Sequence, residues 1–570
     1  MERASGLSEN DRVAEAAVPS TSESTSPALT AGGFARERAA RFGDAPLVVH
    51  DGGPSLSYRE ADARSREIAR GLLASGVGKG TRVGVLLENG PDWVVAWLAA
   101  ARVGALVVPI NTFYQARELA FTLRHADVAL LLTRARFLNH DYLARLERAA
   151  PELAASRSKP LLLDALPFLR EVRVWESEGR ERAWTSGGAA ELAALGARVP
   201  ESVLAAAERE VTPADTMVAI YSSGSSGDPK GALHTHGAVL RHAAMLNAYR
   251  EMGPGDRLYS PMPFFWVGGF VFSLLCTMQA GARLLTEDSF EPGRTLALLE
   301  RERATIVAGW PHYGAALAAH PDFAKRDLSA IRSGNLYAVL PPGRRPADPA
   351  LRAAGLGMTE TLGPHTMANL DEDLPERLRS SFGRPVPGAE HKLIDPLTGR
   401  PSAPGEIGEI CVRGPFLMHG LVKRERAETF DPDGYYHTGD SGFFDADGHL
   451  FFRGRLGELI KTGGANVTPR EVELALEAQP EIAAAHVVGV AHAERGEHVA
   501  AVIVLRDGAA LAPTALRERL RAELAAYKLP RHIFVSLARA LPMTASGKLD
   551  RRALRAELER RIAAGESGSA

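Results

Sequence analysis

The apolar run MVAIY is followed by a ten-residue stretch, SSGSSGDPKG, at residues 222–231. Glycines let backbone N–H groups turn toward one point, serine hydroxyls add donors, and Lys230 adds positive charge, which is what a polyphosphate requires. The stretch is not the Walker pattern, because Asp228 and Pro229 precede the lysine and Gly231 follows it. A flexible Ser/Gly linker is the alternative. The apolar flank and the closing Pro-Lys-Gly favour a phosphate-holding loop.

Three further polar groups stand in settings that could do chemistry. Glu360, after Thr359, offers the hard oxygen ligand that Mg²⁺ prefers, although Thr-Glu is also typical of a helix cap. Asp440 follows a glycine, a setting that is also typical of a plain turn aspartate. Lys548, in TASGKLD, is a point charge on a glycine-containing loop that could reach a distant site or remain solvated.

Alternating patterns predict the elements that must position these residues. Residues 58–76 and 116–127 have helical periodicity, whereas 81–89 and 128–133 are short apolar runs typical of strands. Strand–helix alternation predicts parallel sheets with helices on their faces. The apolar stretch 93–110 is interrupted by arginine, glycine and proline, which favours a buried helix, a turn and a strand over a membrane span.

Other parts of the chain have a different character. Short runs separated by Gly, Pro and Asp predict antiparallel β structure over 381–455, and the last hundred residues predict a small α+β domain. Residues 151–210 are less regular, and we expect a variable excursion there. The fold class is therefore α/β, with a large N-terminal domain of parallel-type α/β subdomains plus a small β-barrel-like part, hinged to a small α+β C-terminal domain.

Composition excludes several function classes. The 570 residues carry a formal net charge of -2, which gives no electrostatic case for nucleic acid or an anionic membrane. Only two cysteines, Cys276 and Cys411, are present, so there is no CxxC metal site and a reducing cytoplasm is expected. The N-terminus lacks the features of a secretory signal and has a composition typical of disorder. The expected domains are a disordered tail (1–33), a large domain (34–455), a small domain (456–560) and a frayed tail (561–570).

Five motifs in order resemble those of the adenylate-forming (AMP-binding) superfamily, in its acyl-CoA synthetase branch. They are SSGSSGDPKG (222–231), GMTET (357–361), YYHTGD (435–440), GRLGELIKTGGANVTPREVE (454–473) and LPMTASGKLDRRALR (541–555). The resemblance covers roughly residues 35–560. It implies ATP, Mg²⁺ and coenzyme A as cofactors, a small-molecule carboxylic acid as substrate, and a small domain that rotates between two half-reactions.

The resemblance also implies a role for each matched residue. ATP or AMP is bound by Ser222, Ser223, Gly224, Ser225, Ser226, Gly227, Lys230, Asp440 and Arg455. The implied catalytic residues are Lys548, Glu360 and Thr359. The lysine stabilises charge on the α-phosphate, and the glutamate holds Mg²⁺ as the metal ligand. The threonine hydrogen-bonds the phosphate. Gly457 is the hinge, and Lys461, Gly463 and Gly464 line the CoA tunnel.

Several positions depart from the family pattern. Leu356 replaces an aromatic residue that stacks on adenine in many relatives, Gly457 replaces Asp or Lys, and SGNLYAVLP (333–341) is rewritten. Trp266 stands where many relatives have His. Candidates for the acyl pocket are Phe264, Phe265, Trp266 and Gly268, with core packing as the alternative for the aromatic residues.

The predicted function is activation of a fatty, aryl or steroid-derived acid to an acyl-adenylate, then transfer to the thiol of coenzyme A. Residues 267–272, directly after Trp266, contain no carboxylate. Amino-acid adenylation domains usually carry an aspartate near there, so amino-acid substrates are disfavoured. The alternatives are an acyl-AMP ligase that loads a separate carrier protein and a non-catalytic nucleotide-binding relative. No nucleic-acid partner or transmembrane segment is expected. The particular acid and the oligomeric state are left open, with a homodimer as one possibility.

Overall fold

The structure is a computed structural model that describes residues 28–566, except for 177–178, 224–228, 353, 397, 404, 459, 463–464, 468, 494–495, 522–523, 525–527 and 545–547. The α-helices of the described residues are α1 (Ala31–Phe42), α2 (Tyr58–Ala74), α3 (Pro91–Arg102), α4 (Ala116–His125), α5 (Tyr142–Ala149), α6 (Ala189–Gly196), α7 (Glu201–Glu210), α8 (His236–Ala248), α9 (Cys276–Ala280), α10 (Pro292–Arg301), α11 (Pro311–Ala319), α12 (Arg426–Thr429), α13 (Pro469–Glu477), α14 (Pro513–Leu520) and α15 (Arg551–Ala563).

Two sheets with parallel centres form the body of the large domain. The first has the order β21-β11-β10-β4-β3-β5-β8-β9 and consists of β3 (Arg82–Leu86), β4 (Leu106–Pro109), β5 (Leu130–Thr133), β8 (Glu171–Val174), β9 (Ser186–Gly187), β10 (Thr216–Ser223), β11 (Pro229–Thr235) and β21 (Gly420–Leu421). The second has the order β15-β14-β12-β13-β1-β2 and consists of β1 (Pro46–His50), β2 (Ser55–Ser57), β12 (Arg257–Tyr259), β13 (Arg283–Thr286), β14 (Ile306–Val307) and β15 (Ser333–Gly334). Antiparallel pairs occur at the edges, at β10–β11–β21 and at β1–β2.

Smaller sheets complete the large domain and form the C-terminal domain. Three strands, β16 (Gly355–Met358), β17 (Gly363–Met367) and β18 (Arg384–Pro385), make one sheet. Four antiparallel strands, β19 (Glu390–Ile394), β20 (Gly408–Arg413), β22 (Tyr436–Phe444) and β23 (Leu450–Arg455), make another. The C-terminal sheet contains β24 (Ile460–Thr462), β25 (Ala465–Val467), β26 (Ile482–His492), β27 (Gly496–Leu505) and β28 (His532–Val535). In the large domain, β6 (Arg136–Phe137) and β7 (His140–Asp141) pair as a separate two-stranded ribbon.

The stretch 93–110 folds as predicted into a buried helix, a turn and a strand. Helix α3 buries Trp93 and Trp97, and the π-helix Gly268–Leu275 brings Phe270 against both indole rings. Arg102 at the end of α3 is buried and contacts the carboxylates of Asp62 and Glu208. Removing one partner of such a buried pair would cost about 3–5 kcal/mol. Among the described residues, no helix is both long and apolar enough to cross a membrane.

Three sequence predictions about irregular or terminal regions need adjustment. The region 151–210 is more regular than expected, because β8 adds to the large sheet and α6 packs on α2. Helix α1 begins at Ala31, where the Thr30 hydroxyl accepts from Gly33 N–H, so the end of the expected N-terminal tail is helical. Helix α15 likewise extends to Ala563, beyond the predicted limit of the small domain.

The C-terminal domain has the α+β character that the sequence predicts. Its core joins α13 and α14 to one face of β26 and β27, through residues such as Val472, Leu516 and Val487. A short 3₁₀ turn, Leu456–Glu458, connects this domain to β23. The antiparallel prediction for 381–455 is also confirmed by the four-stranded sheet.

Candidate active site

The serine- and glycine-rich stretch joins two paired strands. Ser222 lies opposite Lys230, and Ser223 lies opposite Pro229, in the antiparallel β10–β11 ladder. Residues Gly224, Ser225, Ser226 and Gly227 lie outside the described residues. A linker between independent units would not have strands paired on both of its sides, so the loop interpretation is favoured by the hairpin geometry.

Three side chains meet near the loop end of this hairpin. Lys230 Nζ forms an ion pair with Glu360 Oε1 and donates to the Tyr436 hydroxyl at 3.1 Å. The Tyr436 hydroxyl in turn donates to Glu360 Oε1 at 3.3 Å. Residues from β11, from the turn after β16 and from β22 therefore converge on one point, although they are far apart in sequence.

Charge and burial oppose each other at Lys230. Burial lowers the pKa of the ammonium group, but attraction to the Glu360 carboxylate and to Tyr436 outweighs burial and leaves that pKa raised. Burial, followed by the neighbouring Glu360 charge, raises the pKa of Tyr436. At neutral pH the site therefore holds a charged lysine beside a neutral phenol. This cation could move from the carboxylate to a phosphate group.

Two hydrogen bonds from other parts of the chain hold the Thr359–Glu360 turn. His234 Nε2 donates to the Thr359 carbonyl at 2.9 Å, and Met418 N–H donates to the Glu360 carbonyl at 2.8 Å. Gly357 is required just before the turn, because a Cβ there would lie 2.2 Å from the backbone of Gly363. The turn is thus a 3₁₀ turn between β16 and β17, not the start of an α-helix.

Asp440 lies on β22 directly opposite Arg455 on β23. Arg455 Nε donates to Asp440 Oδ1 at 3.0 Å, while the guanidinium is exposed and the aspartate is buried. Asp440 N–H donates to the Thr438 hydroxyl at 3.0 Å, which fixes the turn before it. Tyr436 is four residues earlier on the same strand, so β22 links the Asp440 carboxylate to the Lys230–Glu360–Tyr436 cluster.

An open cavity of about 620 Å³ lies beside the cluster. Lys230 and Tyr436 line one part of it, and Lys423 and Arg424 line another. This volume is in the range of small-molecule sites, which is about 300–1,000 Å³. No sequence pattern predicts Lys423 or Arg424 at the cavity, because both come from the segment after β21.

The predicted catalytic lysine of the small domain, Lys548, does not contact the Lys230–Glu360–Tyr436 cluster. Lys548 is exposed, and its N–H donates to the Thr544 hydroxyl at 3.2 Å in a hairpin closed by a Met543–Leu549 bridge. Among the described residues, no hydrogen bond or ion pair joins Lys548 to Lys230, Glu360 or Asp440. The structure therefore does not bring the predicted catalytic lysine into the phosphate site.

The hinge and tunnel predictions fall on the connecting segment. Gly457 lies within the 3₁₀ turn, and a Cβ there would meet nothing within 4 Å. Lys461 is on β24, with its Cα opposite Asn466, whereas Gly463 and Gly464 lie outside the described residues. The tunnel assignment stays a prediction.

The predicted acyl-pocket aromatics divide into two groups. Phe264 is fully buried against Trp93 and belongs to the core. Trp266 is half-buried, with its ring centroid 5.1 Å from Phe265 and 6.5 Å from Trp310. Exposed Phe113 packs edge-on against Phe265 at 5.8 Å. The aromatic side chains beyond Phe264 thus form a partly open cluster.

Gly268 lies beside the aromatic cluster at the start of the π-helix, and a Cβ there would be 3.1 Å from Met262 Cε.

Leu356 lies on β16, and the rewritten segment begins with Ser333, whose hydroxyl donates to Asp371 at 2.8 Å. The Asn335 amide bridges Gly309 N–H and carbonyl. The rewritten segment is therefore tied into the second sheet.

The Glu360 carboxylate has the chemistry and the position of a magnesium ligand. Its carboxylate is almost fully buried, and the contacts from Lys230 and Tyr436 reach Oε1. Mg²⁺ in nucleotide sites typically takes one or two protein carboxylates and completes its shell with waters and phosphate oxygens. A single buried carboxylate next to a phosphate loop meets that requirement, and Glu360 would be the ligand.

Two contributors were missed by the sequence analysis. His234 was given no role, yet it holds the Thr359 carbonyl, and Tyr436 was quoted in a motif without a function. For His234, alternation along β11 puts it two residues from Ala232 on the same face of the sheet, but only the tertiary pairing shows what it faces. Burial lowers the pKa of His234 to about 3, so its imidazole is neutral.

Comparison with known proteins agrees with this arrangement. Residues 35–422 match the AMP-binding enzyme family, and residues 471–548 match the AMP-binding enzyme C-terminal domain. A 4-coumarate–CoA ligase 2 of Oryza sativa subsp. japonica is 33% identical over 537 residues, covering 91% of each chain. A feruloyl-CoA synthase of an Amycolatopsis species is 31% identical over 540 residues, covering 92% of this chain and 98% of that protein.

A solved structure gives the same result for the fold. The crystal structure of ATP-bound MatB from Rhodopseudomonas palustris superposes with a TM-score of 0.75 at 26% identity, covering 93% of this chain and 99% of that chain. Both domains and their order along the chain are thus shared with known adenylate-forming enzymes. The chain belongs to the AMP-binding enzyme family.

Proposed function

We propose that this enzyme is an AMP-forming acid–thiol ligase that converts an apolar carboxylic acid into its coenzyme A thioester. The observation that carries the proposal is the convergence of Lys230, Glu360 and Tyr436 at the end of the phosphate-loop hairpin. Asp440 lies on the same strand as Tyr436, and four strand residues span about 13 Å at roughly 3.3 Å each. That spacing suits a ribose at one end and a polyphosphate at the other.

In the first half-reaction, an oxygen of the substrate carboxylate attacks the α-phosphorus of ATP and pyrophosphate leaves. Negative charge on the phosphate oxygens must be stabilised by oriented donors and cations. Lys230 would supply a cation at the loop, and the Asp440 carboxylate would accept the ribose hydroxyls. Mg²⁺ held by Glu360 would neutralise phosphate charge when bound.

Lys548 would stabilise the α-phosphate in this first step only after the small domain brings its hairpin to the cluster. In the second half-reaction, the coenzyme A thiol attacks the acyl carbonyl carbon, AMP leaves, and the thiol proton passes to solvent. Motion about the Leu456–Glu458 turn would exchange the two arrangements. The family residues Lys461, Gly463 and Gly464 would then line the path of the thiol.

For the acid we favour an aryl substrate within the apolar class. Phe265, Trp266 and Trp310 form a partly open aromatic cluster, and aromatic rings stack or pack edge-on against one another. Two of the relatives are named for 4-coumarate and feruloyl-CoA, which are aryl acids or their thioesters. We also propose that the enzyme acts in the cytoplasm, because Cys276 and Cys411 are both unpaired thiols.

The test is product formation from ATP, Mg²⁺ and coenzyme A with a panel of benzoates, cinnamates, fatty acids and steroid side-chain acids. AMP and thioester formed fastest with an aryl acid would support the whole proposal. Thioester with another acid class would retain the ligase and reject the aryl assignment. Acid-dependent pyrophosphate release with no thioester would point to carrier loading. No acid-dependent pyrophosphate release with any class would contradict the ligase proposal.

A further inference from the structure

A cluster of side chains of the types that bind metals lies on two neighbouring strands of the four-stranded sheet, beside the active-site cavity. Cys411 on β20 lies directly opposite His437 on β22, and Glu409 is two residues before Cys411. The β20–β22 register shifts between Glu409 and Cys411, so strand alternation alone does not place the three side chains together. Their ligand atoms lie within 4.8 Å of one another.

We propose that Glu409, Cys411 and His437 form a binding site for Zn²⁺ that is separate from the magnesium ligand Glu360. Thiolate, imidazole and carboxylate are the three ligand types of protein zinc sites, whereas Mg²⁺ prefers oxygen alone. The mixed set therefore selects a borderline-soft ion over the cation that accompanies ATP.

The atoms that would bind the ion are already oriented. Glu409 Oε1 accepts from Gly439 N–H at 3.1 Å, while Oε2 faces His437 Nδ1 at 3.0 Å. Cys411 is buried beneath them. An ion between these atoms would require them to close to about 2.0–2.3 Å from the metal, and rotation of the exposed His437 ring can supply that movement.

An outer shell for the histidine is present as well. His437 Nε2 faces Asp431 Oδ2 at 3.6 Å, and that oxygen is held by Lys392 Nζ at 2.5 Å. The other carboxylate oxygen of Asp431 accepts from Tyr435 N–H at 2.8 Å. Metal-binding histidines characteristically donate their second ring N–H to a carboxylate that is itself anchored, and this fixes Nδ1 as the metal-binding nitrogen.

The site is open to solvent on one side. Glu409 and His437 both line the 620 Å³ cavity, so an ion can enter by this route. Three protein ligands and a solvent-facing fourth position are the arrangement of an open zinc site. Binding would convert the Cys411 thiol to a thiolate and release its proton to solvent. Without a metal, the two ring nitrogens of His437 face the carboxylates of Glu409 and Asp431.

The experiment titrates the full-length, chelator-treated protein with Zn²⁺ by calorimetry and with Co²⁺ by absorbance. We expect one high-affinity ion per chain in the presence of excess Mg²⁺, and a thiolate-to-Co²⁺ charge-transfer band. Cys411→Ser should abolish that band and lower Zn²⁺ affinity at least about tenfold. Cys276→Ser, which changes the other thiol, should leave the band unchanged.

Two further variants keep the proposal falsifiable if Cys411→Ser fails to fold. Asp431→Asn, which alters only the outer shell, should weaken Zn²⁺ binding about 10- to 100-fold. The control is a second cluster of possible metal ligands, made up of Asp445, Asp447 and His449. His449→Gln changes one member of that cluster and should have no effect on Zn²⁺ affinity. The proposal is overturned if no ion binds at one per chain, if the Co²⁺ complex lacks a thiolate band, or if Cys411→Ser and Asp431→Asn bind Zn²⁺ as tightly as the unmodified chain.

Discussion

His234 Nε2 donates to the backbone carbonyl of Thr359 at a distance of 2.9 Å. The bond joins the second strand of the phosphate-loop hairpin to the turn that carries Glu360, so two predicted parts of the nucleotide site are fixed relative to each other. Because burial lowers the pKa of His234 to about 3, the imidazole stays a neutral donor over the working pH range.

Replacing His234 should therefore misplace the turn. His234→Ala leaves the Thr359 carbonyl without this donor, at a cost of about 1–3 kcal/mol, and we expect acid-dependent ATP–pyrophosphate exchange to fall about 10- to 100-fold. His234→Gln can place an amide N–H near the same point and should recover most of the rate. Equal loss in both variants would show that the ring acts through packing and not through the hydrogen bond.

Lys230 and Tyr436 should contribute unequally to the first half-reaction. Lys230→Ala removes a cation from developing phosphate charge, and we expect the exchange rate to fall about 100- to 1,000-fold. Tyr436→Phe removes one neutral hydroxyl contact and should cost about tenfold. Lys325→Ala, at an exposed position on the large domain, is the matched control and should leave the rate unchanged. A larger effect for Tyr436→Phe than for Lys230→Ala would contradict the proposed roles.

Some features of the fold and the site can be predicted from the sequence, and others cannot, for physical reasons. Local periodicity in the sequence predicts the positions of strands and helices and the burial of 93–110. It also predicts the strand that precedes the loop of Lys230. The contacts of His234 with Thr359, and of Tyr436 with Lys230, join residues 125 and 206 positions apart. No local pattern specifies such pairs, because they depend on how β11, β17 and β22 approach one another. The regularity of 151–210 was missed for the same reason, since its strand is stabilised by the sheet it joins.

Acid should destabilise the fold through buried neutral histidines. Burial lowers the pKa of His242 and of His365 to about 3, well below the ordinary value of 6.5. The unfolded chain therefore binds more protons than the native state between these values, so the stabilising contribution is complete above pH 6.5 and is lost as the pH falls toward 3. Each such histidine adds up to about 1.4 kcal/mol per pH unit to the slope.

Denaturant unfolding between pH 7 and pH 4.5 measures that slope. His242→Asn should make the pH dependence shallower by about one proton's contribution, whatever it does to the stability at pH 7. His312→Asn, at an exposed histidine, should leave the slope unchanged. An unaltered slope in His242→Asn would mean that this ring is protonated in the native state or is not buried in solution.

Lys548 should matter for one half-reaction only. Because its side chain is exposed and lies apart from the phosphate cluster, Lys548→Ala should fold normally and lose adenylation by about 100-fold or more. Thioester formation from supplied acyl-adenylate and coenzyme A should persist, because the thiol in that step attacks the acyl carbonyl carbon and no nucleophile adds to the α-phosphorus. Arg552→Ala, at an exposed cationic position on the same domain, is the control. Unchanged pyrophosphate release in Lys548→Ala would reject the catalytic assignment.

Gly457 should set how freely the two half-reactions exchange. A Cβ at this position meets nothing within 4 Å, so Gly457→Ala should keep both rates within about twofold, because it adds no clash and only modestly restricts the backbone. Gly457→Pro fixes φ near −65° and restricts the preceding residue, so it should favour one arrangement of the small domain and slow at least one half-reaction about tenfold or more. Single-turnover measurements of pyrophosphate release and of thioester formation separate the steps. If Gly457→Pro leaves the ratio of the two rates unchanged, rotation does not pass through this residue, and the hinge must lie elsewhere in the segment between β23 and β24.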